Sequence, residues 1–98
     1  MTPNRESVDG RFIPWEEYFV GLHPPGTFTI KVHEGKAKLY ASLPGGNFAC
    51  CSLKPGHPNG WDKAGPDDKP TLHPSIRVSD QRGERWHGWL REGRFVSV

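Results

Sequence analysis

The chain has no apolar run near the roughly 18 residues needed to cross a bilayer. Its opening residues, Met1-Thr2-Pro3-Asn4-Arg5-Glu6, hold no apolar core of a secretory signal. A cytoplasmic protein without a membrane partner is therefore expected. Cysteine is nearly absent, with Cys50 and Cys51 the only two. Reducing cytosol, and the strain of bridging sequence neighbours, argue against a disulfide and leave thiols or metal ligands. Charge of one sign is also lacking: 13 basic residues stand against 11 acidic ones, a net +2. That balance does not by itself imply nucleic-acid binding. No segment keeps a helical period. The familiar enzyme fingerprints are missing too: no Gly-x-Ser-x-Gly, phosphate loop, dinucleotide motif or His-Glu-x-x-His occurs.

What is present points to short strands and many turns. Twelve Gly and ten Pro are scattered without a period among 98 residues, and hydrophobic residues are only 34% of the chain. Four Trp, two Tyr and five Phe supply large buried areas in compensation. The length fits one domain, residues 1–98, with residues 1–10 read as a flexible N-terminal segment. Thr27–His33 alternates strictly and is the best strand signal. Glu34-Gly35 reads as a two-residue turn, with 36–41 returning as its hairpin partner. Residues 48–53 and 75–79 read as further strands, and 85–91 with 94–98 as a terminal hairpin around Glu92-Gly93. Pro14-Trp15-Glu16-Glu17 suits one helical turn. Residues 54–69 form a long loop rich in Pro, Gly and Asp whose one notable apolar residue is Trp61. The expected architecture is all-β, a small antiparallel sandwich or curled sheet with long loops.

For metal chemistry the chain offers Cys50, Cys51, His23, His33, His57, His73 and His87. Neither a Cys-x2-Cys knuckle nor a close His pair is present. Neighbouring strand residues point to opposite faces, so Cys50 and Cys51 face one ion only across a bulge. The plainer expectation is one cysteine in the core and one half-exposed. His73 precedes Pro74 beside an expected strand, and His87 lies between Trp86 and Gly88, where both a ligand and a packed histidine fit.

The pattern Pro70-Thr71-Leu72-His73-Pro74-Ser75-Ile76, followed by Trp86-His87-Gly88-Trp89-Leu90-Arg91-Glu92-Gly93-Arg94-Phe95, resembles a family of small phage and prophage proteins. Members often carry the label ammonia monooxygenase. The resemblance spans residues 47–98, and related domains sit beside bacterial ubiquitin-like conjugation genes and look metal-binding. It implies Cys51 and His87 as ligands, joined by His73. Glu84 stands where the family pattern has a cysteine, and Glu84 or Cys50 would be the fourth ligand of a structural zinc.

Three functions follow as expectations. The first is a phage-encoded accessory protein that binds a host or phage protein, as an anti-defence or host-takeover factor. The second is a nucleic-acid module with Arg85, Arg91, Trp86 and Trp89 as its binding face; the acids Asp80, Glu84 and Glu92 among the arginines argue against it. The third is a zinc-dependent hydrolase. No residue is singled out as catalytic, and binding is expected over catalysis.

Overall fold

The structure, a computed structural model, describes residues 6–98. Two antiparallel hairpins dominate it. Strand β3 (Thr27–His33) turns into β4 (Lys36–Leu43), and β9 (Gly83–Arg91) into β10 (Arg94–Ser97). Both turns are Glu-Gly pairs in which both residues take positive φ: Glu34 52° and Gly35 75°, Glu92 47° and Gly93 78°. That is the mirror-image turn whose twist matches that of the paired strands. The strict alternation expected over Thr27–His33 is thus strand along its whole length, and the turn lies where the glycine allows it.

The remaining strands are β1 (Val8–Asp9), β2 (Arg11–Phe12), β5 (Asn47–Ser52), β6 (Asp62–Ala64), β7 (Thr71–His73) and β8 (Ile76–Asp80). One sheet runs β1-β10-β9-β8, a second β2-β3-β4-β5, and β6 and β7 form a small ribbon. Pairing is antiparallel except between β2 and β3. The helical turn is α1, Trp15–Tyr18. Among the described residues no helix is long and apolar enough to cross a membrane.

The two four-stranded sheets close on one core. Phe28, Leu39, Ala41, Ala49 and Cys51 enter from one, and Ile76, Trp86, Leu90 and Phe95 from the other. The Phe28 and Phe95 rings meet edge to face at 6.0 Å. The arrangement is the expected all-β sandwich. The loose segment expected over residues 1–10 is partly corrected: Val8 and Asp9 pair with Phe95 and Arg94, and Glu6 O accepts the Trp86 indole N–H at 3.1 Å. Residues 1–5 lie outside the described residues.

The 54–69 loop is held by its own contacts. Trp61 packs against the core, its N–H donates to Ser52 O at 2.9 Å, and β6 pairs with β7. Asp62 accepts the Gly56 N–H at 2.8 Å, and Lys63 meets Asp67 at 2.7 Å.

Candidate active site

Along β9, Trp86, Gly88 and Leu90 are buried while His87 and Trp89 are half-buried and Arg91 is exposed. The period of two sends His87, Trp89 and Arg91 to the outer face. On β8, Ile76 is buried and Arg77 exposed, so Ser75, two residues before Arg77, shares that outer face. Arg77 pairs with His87 and Ile76 with Gly88. This register sets Ser75 beside His87, with 2.9 Å between Ser75 Oγ and His87 Nε2. With the ring proton on Nδ1, the hydroxyl donates to Nε2.

Glu84 reaches the other ring nitrogen by an irregularity. Residues three apart on a regular strand face opposite sides. Here the register shifts: Val78 pairs with Trp86, but Ser79 pairs with Glu84. Arg85 is the extra residue, and the bulge returns Glu84 to the side of His87. Its Oε1 lies 3.8 Å from His87 Nδ1 and 3.0 Å from Arg77 Nε. The first contact is an ion-pair distance, longer than a hydrogen bond. Catalytic contacts are often loose before substrate binds. Serine, histidine and carboxylate thus stand in the order a nucleophile, its base and an orienting group require.

Neighbouring elements hold these residues in place. The Trp61 indole N–H points to Ser75 O at 3.4 Å, and Val98 N–H donates to His87 O at 3.0 Å. Trp89 carries the Arg91 guanidinium 4.9 Å above its ring and meets His73 edge-on at 6.2 Å.

Of the five expected metal ligands, the structure brings Glu84 and His87 together, around Ser75 and Arg77. Cys51 is 1% exposed within the core. Burial, and then the neighbouring Cys50, push its thiol up to about 12. Cys50 is exposed, and lines a shallow depression with Tyr18, Phe19 and Tyr40. His73 is exposed beside Trp89. Among the described residues no three of His, Cys, Asp and Glu group closely enough to hold a metal ion.

The expected binding face is also redistributed. Trp86 is fully buried and offers no stacking surface, whereas Trp89 and Arg91 remain on the outer face. Arg85 Nε donates to Asp80 Oδ2 at 2.6 Å. That hydrogen bond, with the Arg82 backbone N–H, holds the Asp80 carboxyl below the usual carboxylate range. Sequence reasoning passed over Ser75, although it lies inside the quoted motif. The usable signal was a hydroxyl just ahead of one strand and an outward histidine on the next.

A family model described as "Bacterial ubiquitination-like system serine protease (BubE)" matches residues 22–98. It agrees with the expected kinship to ubiquitin-like conjugation genes; phage origin forms no part of it. No curated protein matches the chain, and no solved structure does.

Proposed function

We infer that Ser75, His87 and Glu84 are the catalytic group of this chain, which belongs to the BubE family of bacterial ubiquitination-like system serine proteases. The observation that carries the inference is the 2.9 Å approach of Ser75 Oγ to His87 Nε2 on one exposed sheet face. The absence of Gly-x-Ser-x-Gly does not count against it, because such a triad is recognised by geometry and roles rather than by motif or chain order.

In the reaction proposed, His87 Nε2 takes the Ser75 hydroxyl proton as Oγ bonds to the carbonyl carbon of a peptide. The tetrahedral adduct collapses by breaking its C–N bond, and Nε2 returns the proton to the leaving amine. Water, deprotonated by the same nitrogen, then releases the acyl group from Oγ. Glu84 stabilises the imidazolium formed in both halves. A protein of a ubiquitination-like system is the substrate class. A host or phage protein as that substrate would unite catalysis with the partner-binding role expected from the sequence.

The test is peptide-bond cleavage by the purified chain. Ser75→Ala and His87→Ala should each lower kcat by at least about 1000-fold, and Glu84→Gln by roughly 10- to 1000-fold. A chelator should leave the rate unchanged. Full activity in Ser75→Ala would contradict the assignment, and chelator-sensitive activity would favour the zinc-hydrolase alternative.

A further inference from the structure

We propose that Arg77 is a positioning residue: it competes with His87 for a single oxygen of Glu84 and so sets the pH range in which His87 works as a base. The proposal rests on the serine-protease reading above and concerns how that site is regulated. Three facts carry it. Arg77 and His87 are direct cross-strand partners. Both approach the same atom, Glu84 Oε1, the arginine at 3.0 Å and the imidazole at 3.8 Å. The shorter contact belongs to the arginine, whose charge does not titrate in the working range.

The consequence follows from the charges. A carboxylate fully committed to His87 would favour the imidazolium and leave less neutral base near pH 7. Arg77 draws that carboxylate away and adds a positive charge on the same face. Both effects favour the neutral ring. The same arginine keeps Glu84 near the ring, so the carboxylate can close on the imidazolium once a proton arrives.

The other charged groups on the elements packed around His87 are already engaged. On β8 and β9, Asp80 pairs with Arg85 at 2.6 Å. Arg91 lies on the Trp89 ring, and His73 of β7 meets that ring from its edge. On β10, Arg94 turns to Asp9 at 3.4 Å. Arg77 and Glu84 are the charges left to act on the His87 ring.

The experiment follows the His87 ring by 15N NMR titration in the full chain, alongside the pH profile of kcat/KM for peptide cleavage. The native chain is compared with Arg77→Gln, Arg77→Lys and Glu84→Gln. The Arg77 side chain is 64% exposed, so its replacement leaves the core untouched. In Arg77→Gln the ring midpoint should move to higher pH by about half a unit, as expected for one charge removed from a partly exposed pair. The acid limb of the rate profile should move with it. Arg77→Lys should stay closer to native, and Glu84→Gln should move the midpoint the opposite way.

An unmoved midpoint in Arg77→Gln overturns the proposal. So does a moved midpoint with an unmoved acid limb. A rise in KM with both pH positions unchanged would make Arg77 a substrate contact instead. The two readings fail separately: activity that survives Ser75→Ala removes the serine assignment, whatever the ring titration shows.

Discussion

At the scale of single residues, Cys50 and Cys51 show what alternation alone can determine. Neighbours on β5 must face opposite ways, and the structure buries Cys51 while exposing Cys50. This much was readable from the sequence. The inward thiol carries a pH dependence. Burial pushes it from 9.0 up to about 12, so the unfolded chain gives up this proton before the folded one does. The stability tied to the neutral thiol is therefore complete below pH 9 and is lost as pH rises towards about 12. Urea unfolding at pH 8 and at pH 9.8 should show native stability falling more steeply than that of Cys51→Ala. Staying under pH 10 keeps Tyr18, also raised by burial, out of the comparison. Parallel behaviour of the two chains would contradict the assignment.

Ser75 marks the limit of reading residues singly. It sits in a motif that drew attention to His73, and a serine after proline is ordinary loop chemistry. Only the pairing of β8 with β9 gives it meaning, by setting a ring nitrogen 2.9 Å from its oxygen.

At the scale of elements, the β3–β4 hairpin was legible because alternation and a Glu-Gly turn agreed. Strands β1 and β2, two residues each, are too short to show a period, and the parallel pairing of β2 with β3 has no local signal. The bulge in β9 was likewise hidden. A regular strand through residues 83–91 would put Glu84 and His87 on opposite faces, so their proximity could only be found in the register. The same strand holds a steric requirement at Gly88, beside the proposed base. A Cβ there would collide with the Val96 carbonyl oxygen and the Trp86 ring. Neither can withdraw, because one is backbone in β10 and the other a buried core ring. Gly88→Ala should cost about 1–3 kcal/mol in denaturant unfolding, and should lower activity by shifting His87. A loss under about 0.5 kcal/mol would mean that β9 and β10 lie farther apart than described.

At the scale of the whole molecule, the sandwich gives the site a rigid base. Ser75 precedes the edge strand of one sheet. Trp61 ties it to the other, bonding Ser52 O through its backbone and Ser75 O through its indole. The long loop read as needing an external clip is thus held by a tryptophan and a two-strand ribbon. The sandwich class followed from composition and strand spacing. The site did not, since its three members converge through tertiary register and their sequence separations match no known motif.

The most direct measurement of the central claim is intact-mass and peptide mass spectrometry after treatment with a fluorophosphonate, which traps activated serine hydroxyls covalently. The native chain should gain one adduct, located on Ser75. Ser75→Ala should gain none, and His87→Ala should react at least about 100-fold more slowly. An unlabelled native chain, or an adduct on another serine that persists in Ser75→Ala, would contradict the account.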